Sequence, residues 1–116
     1  MPVENLAIWQ RSTAQCIAIY KYFMPSREYG FKEQITRSAL SIPSNIAEGM
    51  ERLSDREKYR FLEIAKGSSA ELSTQIYIGV GIGLIDEQTG HAWMRENKEI
   101  AAMIAGLMKT LLAARS

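Results

Sequence analysis

Apolar side chains recur at alternating steps of three and four residues along almost the whole of this chain, and that spacing commits it to helices. Leu6, Trp9, Thr13, Cys16, Tyr20 and Phe23 share one helical face, which breaks at Pro25. Residues 24–30 read as a loop. Phe31, Ile35, Ala39, Ile42 and Ile46 form a second face. Leu62, Ala65, Ser69, Leu72, Ile76 and Gly79 form a third, with a parallel stripe through Phe61, Ile64, Ser68, Gln75 and Ile78. Trp93, Ile100, Ile104, Leu107 and Leu111 form the fourth, widened by Met103, Met108 and Leu112.

The punctuation agrees with this division. Ser54 and Glu57 make a capping box before the third segment, hydroxyl to amide one way and carboxylate back the other. Pro43 falls inside the second pattern. It removes one backbone donor and crowds the carbonyl of Ala39, yet the apolar spacing continues to Ile46. A kinked helix is therefore expected, not a stop, with Ser38, Ser41 or Ser44 bonding the freed carbonyl. Gly49 is expected to end that helix as a cap residue. If the third segment runs on to Ile85, it spans roughly 45–50 Å at the usual rise of a helix.

No alternating β-branched run and no Asn-Gly or Asp-Gly hairpin signal competes. Helices joined by short loops favour an antiparallel up-and-down four-helix bundle, an all-α fold, with residues 1–116 as one domain. A chain of this length buries an adequate core without disulfides or metals.

Charge narrows the function classes. Lys and Arg number 14 against 13 Asp and Glu, a net of +1. Residues 54–85 hold equal numbers of acids and bases, so no basic stripe of the kind nucleic-acid binders show is evident. The longest apolar run, Ile76 to Ile85, is interrupted by glycines and far shorter than the ~18 residues a membrane span needs. No basic stretch precedes an apolar run at the start of the chain, so a cytoplasmic protein is expected, with no membrane partner. Cys16 is the only cysteine and sits in an apolar stripe, where a small buried residue is its natural role.

Catalytic parts are wanting. Gly79-Val80-Gly81-Ile82-Gly83 lacks the strand before it and the spacing of a phosphate loop, and reads as a place where another helix approaches closely. Cys16 and the single histidine, His91, stand far apart, and no Glu-x-x-His pair occurs. No catalytic residue, metal or cofactor is assigned. The unusual polar residues lie on the second and third helices: Gln34, Arg37, Ser41, Asn45 and Glu48 on one, Ser68 and Glu71 on the other. Buried polar groups need partners, so these residues are expected to form a structural network that sets helix register.

Ser41-Ile42-Pro43-Ser44-Asn45-Ile46-Ala47-Glu48-Gly49 closely resembles the signature of the 23S rRNA intervening-sequence protein family, the four-helix bundle proteins. Leu6-Ala7-Ile8-Trp9-Gln10 is similar to the opening helix of that family. Tyr29-Gly30-Phe31 and residues 34–39 resemble its lead-in, and residues 61–68 with Glu71-Leu72 its third helix. The resemblance implies a homopentameric ring of four-helix bundles and no enzyme. It also implies an alternative role. A related accessory protein of diversity-generating retroelements is a basic pentamer that contacts nucleic acid and binds a reverse transcriptase. Here Arg11, Lys32, Arg37, Arg56, Lys58 and Arg60 are the candidate phosphate contacts, with Asp55, Glu57 and Glu63 set among the last three.

A chain so close to neutral has few counterions to release from RNA. Titration against a labelled structured RNA is expected to show weak binding that moderate salt abolishes. Sub-micromolar affinity at physiological ionic strength would overturn that expectation.

Overall fold

The computed structural model describes residues 2–114. A 3-10 turn, Val3–Asn5, leads into α1 (Ala7–Phe23), α2 (Tyr29–Met50), α3 (Asp55–Gly81) and α4 (Glu87–Ala114), and no strand occurs among the described residues. α2 packs most closely on α3 and α3 on α4; α1 packs on α2 and more lightly on α4, while the diagonal pairs lie apart. This is the antiparallel up-and-down four-helix bundle. It is elongated, 47 × 22 × 19 Å.

The expected faces of α2 and α4 and the main stripe of α3 make the core, while α1 is rotated from its expected face: Ile8, Ser12, Gln15, Cys16, Ile19 and Phe23 are buried and Tyr20 is exposed, and Ile64 and Ile78 of the parallel α3 stripe are exposed too. Ile19, Phe23, Ile35, Ile42, Ile46, Leu62, Leu72, Ile76, Ile100 and Ile104 are each no more than 1% exposed. Each such side chain contributes about 1.5–3 kcal/mol through its burial. One end of the bundle is sealed by aromatics: the Phe23 ring lies 5.8 Å from Phe31 and 6.3 Å from Trp93, and Tyr22 stands edge-on to Trp93 at 5.1 Å. The Tyr22 hydroxyl accepts the Asp86 amide at 2.8 Å, tying α1 to the start of α4.

Pro43 is buried inside a continuous α2. The serines expected to serve the freed carbonyl turn elsewhere: Ser38 and Ser41 direct their hydroxyls at α3. Ser54 caps α3, accepting the Glu57 amide at 3.1 Å, while its hydroxyl donates to the Glu57 carboxylate at 3.3 Å. The acids of that first turn also suit the positive end of the helix dipole.

Three helix ends depart from the sequence expectation, the first being the start of α2, which takes in Tyr29 and Gly30 from the stretch read as a loop. α2 runs one residue past Gly49, so Gly49 is not a left-handed cap. Its bare Cα instead admits α3: an added Cβ would lie 3.0 Å from the Cβ of Phe61 and 3.4 Å from the carbonyl of Lys58. α3 stops at Gly81, short of Ile85, at roughly 40 Å. Gly83 takes φ +79°, and the amides of Leu84 and Ile85 return to the carbonyl of Gly79 at 2.9 and 3.0 Å. Ile85 folds back onto buried Gly79, where a Cβ would collide with it. Of the three glycines, then, Gly79 permits the close approach, Gly83 makes the turn, and Gly81 faces open space.

Opposite outcomes are expected for two Gly→Ala changes. Gly49→Ala pushes on Phe61 close to its backbone and should lose ~1–3 kcal/mol by overpacking. Gly67→Ala, inside α3 with nothing within 4 Å, should gain about 0.5–1 kcal/mol. Urea melts of both variants check this; shifts of the same sign would contradict it.

Candidate functional site

The polar residues singled out on α2 and α3 fall on one seam, but only part of the set meets. Ser41 Oγ lies 2.7 Å from Ser68 Oγ. The Asn45 amide donates to the Ser41 carbonyl at 2.8 Å and to its hydroxyl at 3.0 Å. Ser38 donates to Glu71 at 3.3 Å, although Glu71 itself is exposed. Gln34, Arg37 and Glu48 are exposed and stand outside this group. Arg37 pairs with Glu33 at 2.8 Å within α2, and Glu48 with Arg52, just past the end of that helix, at 3.3 Å. Gln75, on the same side of α3, has its carbonyl oxygen enclosed without a hydrogen-bond donor among the described residues.

A deeper polar cluster joins Ser69, which stands in the third sequence stripe, to Asn97 and Ser73, which, like Gln15, the sequence reading did not single out. Asn97 is fully buried and bridges α4 to α3. Its amide donates to the Ser69 carbonyl at 2.7 Å and the Ser73 hydroxyl at 2.8 Å, and its oxygen accepts from the Ser69 hydroxyl at 3.1 Å. Gln15 of α1, also buried, donates to the Trp93 carbonyl at 3.2 Å. The signal was available: Asn97 stands four residues after Trp93 and three before Ile100, in the middle of the apolar stripe.

A third cluster ties α1 to α4. Arg11 grips Glu96 with two nitrogens, Nε at 2.9 Å and Nη2 at 2.6 Å, and reaches Glu99 at 2.9 Å. These hydrogen bonds raise the Arg11 pKa above its ordinary value and lower that of Glu96, against a smaller desolvation effect. Both side chains remain about a third exposed, so solvent screens the pair.

The candidate phosphate contacts are scattered. Arg11 is held by its two carboxylates, Lys32 donates to the Met24 carbonyl at 3.1 Å, and Arg37 is paired with Glu33. Arg56 and Arg60 are exposed on α3, and Lys58 is half-buried there. Among the described residues, no three His, Cys, Asp or Glu side chains stand close enough to hold a metal ion. Cys16 is buried, and burial pushes its thiol up, away from a reactive thiolate. The seam therefore offers hydroxyls and amides that bond one another and fix register. His91, the only histidine, is exposed at the far side of the bundle on α4.

Fold and site together define a four-helix bundle whose polar residues serve packing. The sequence profile of the 23S rRNA-intervening sequence proteins matches residues 4–106, and the chain belongs to that family. Its fold is similar to a solved structure from Bacteroides thetaiotaomicron VPI-5482, a protein with unknown function from the S23 ribosomal protein family. The TM-score is 0.83 at 21% identity, covering 89% of this chain and 99% of that one. No curated protein matches the chain.

Two measurements follow. Asn97→Leu leaves the Ser69 carbonyl and two serine hydroxyls without their partner and should cost ~3 kcal/mol or more in a denaturant melt. Glu71→Leu, at an exposed site with one long bond, should stay within about 0.5 kcal/mol of the parent. Equal losses in the two would contradict this reading. Secondly, the Glu96 carboxyl lies below its ordinary value of 4.5 in the folded protein. Its pairing with Arg11 therefore stabilises fully above that pH and is lost as pH falls through the lower folded value. Glu96→Gln should be less stable than the parent at neutral pH, with the gap closing in acid; a gap that persists or widens there would refute the linkage.

Proposed function

We propose that this protein is a non-enzymatic, homo-oligomeric scaffold of the cytoplasm that works by binding protein chains. One observation carries the reading: large apolar side chains are left exposed in rows. Ile17 and Tyr20 on α1 and Met24 at its C-terminal cap follow one another at helical spacing, and Tyr29 and Leu40 share an outward side of the adjacent α2, all at 39–69% exposure. Ile64 and Ile78 on α3 and Ile82 at its C-terminal cap lie on another side, at 43–59%. A soluble monomer seldom exposes contiguous apolar patches beyond a few hundred Å².

On α4, Met103, Leu107 and Leu111 are half-buried, Met108 is buried and Leu112 is exposed, so the uncovered rows lie chiefly on α1, α2 and α3. Total surface points the same way. The chain exposes 7047 Å², whereas a compact monomer of its 13.1 kDa exposes about 6,400 Å². Two different apolar faces on one protomer suit a head-to-tail contact, and such contacts close into rings. Five copies is the number that the family resemblance supplies. No helix of the described residues is long and apolar enough to cross a membrane.

The nucleic-acid accessory role is the second reading, and it is weaker. Three of its six candidate cations are held by their own neighbours, as described above. Light scattering coupled to size exclusion tests the first. A mass several times 13.1 kDa at micromolar concentration is expected, with five copies leading. A monomer would defeat the proposal, and a dimer or tetramer only its number.

A further inference from the structure

Two depressions on the protein surface lie along the same seam, the outer groove between α3 and α4. The larger, about 490 Å³, has Ile76, Tyr77, Val80 and Met94 in its walls and His91 and Lys98 at its rim. The smaller, about 170 Å³, is formed by Tyr59, Ala105 and Met108 with Lys66 and Lys109. Helical register joins them. Tyr59, Lys66, Ala70 and Tyr77 are spaced by seven, four and seven on α3; Met94, Lys98, Ala101 and Ala105 by four, three and four on α4. The alanines keep the middle of the groove low. From Tyr59 to Gly81 the groove runs about 33 Å, the length of a helix of some 22 residues.

No acidic side chain lines either depression; every charged residue there is a lysine. Parallel ridges of two packed helices accept a third helix in the groove between them. The charge says which kind. The chain's own exposed apolar rows are poorer occupants: α1 carries no acidic residue at all and presents Lys21 beside its row, the Glu33 carboxylate near Leu40 is already paired with Arg37, and Glu71, between Ile64 and Ile78 on α3, already accepts the Ser38 hydroxyl. A second copy docking through α1 would bring cation to cation.

We propose that the α3/α4 groove docks an amphipathic helix from a different protein, with leucine-like anchors in the two depressions and carboxylates facing Lys66, Lys98 and Lys109. The inference does not need the oligomer: that reading uses the outer rows of α1, α2 and α3, and this one a seam those rows leave open.

Fluorescence anisotropy with the full chain and a labelled synthetic helix tests it. The probe is a helix-forming peptide of some 22 residues, to match the groove, with leucines at three-and-four spacing flanked by glutamates. A control peptide keeps the leucines and carries lysines. Saturable binding of the acidic peptide is expected, weaker by about tenfold for the basic one and about tenfold for the double variant Lys66→Glu, Lys98→Glu, and weakened by salt. Tyr77→Ala, which leaves the charges in place, should also weaken it. Equal binding of both peptides, or none of the acidic one, would overturn the proposal. So would a fall in mass by light scattering in the double variant, because a second copy would then occupy the groove. A monomeric parent that still binds the acidic peptide would defeat the oligomer and leave this inference standing.

Discussion

The carboxamide of Asn97 is the point from which the bundle's register is set. It lies wholly inside the protein, and all of its recorded bonds go to two serines of α3. Apolar contacts tolerate sliding; a buried amide does not, because a shift of one turn leaves both it and the Ser69 carbonyl unpaired in an apolar interior. With α3 and α4 held in this way, the Ser41–Ser68 contact aligns α2 on the other side of α3. α1 packs most lightly on α4, and it is there that Arg11, Gln15 and Tyr22 each reach across to α4 or its lead-in. Polar bonds thus align the helices that burial holds together.

Much of this was legible beforehand. Helix periodicity located the core faces of α2 and α4 and the main stripe of α3, since a 3.6-residue repeat leaves few other ways to hide Ile35, Ile42 and Ile46 together; on α1 it placed the face off-centre, because Tyr20 is exposed and Ile8, Ser12, Gln15 and Ile19 are buried instead. The capping box at Ser54 and the helix running through Pro43 followed from local chemistry alone. What was missed depended on partners distant in sequence. Gln34, Arg37 and Glu48 lie near the right face of α2, but a few tens of degrees of rotation decide between a neighbouring helix and water. Asn97 was overlooked because an apolar stripe was read for its apolar members. The end of α3 was misplaced for a different reason. Residues 82–85 are as apolar as a helix face, and only the structure shows that they turn, with Ile85 folding back onto Gly79 while Ile82 stays exposed.

The chain's surface is what distinguishes it once the interior is accounted for. Among the described residues no three His, Cys, Asp or Glu side chains gather as a metal-ligand set, while large apolar side chains on α1, α2 and α3 lie open. The same helices that make the core carry exposed apolar side chains on a second side, and the proposed self-association would bury them. The α3/α4 groove differs in kind, being lined by apolar side chains together with lysines.

Carbene footprinting of the intact protein over a dilution series tests the central claim most directly. Self-association predicts that Ile17, Tyr20, Ile64 and Ile78 are labelled far below their 39–50% exposure in the single protomer at high concentration, and gain label on dilution. Labelling that follows the exposure of the single protomer at every concentration would contradict the account.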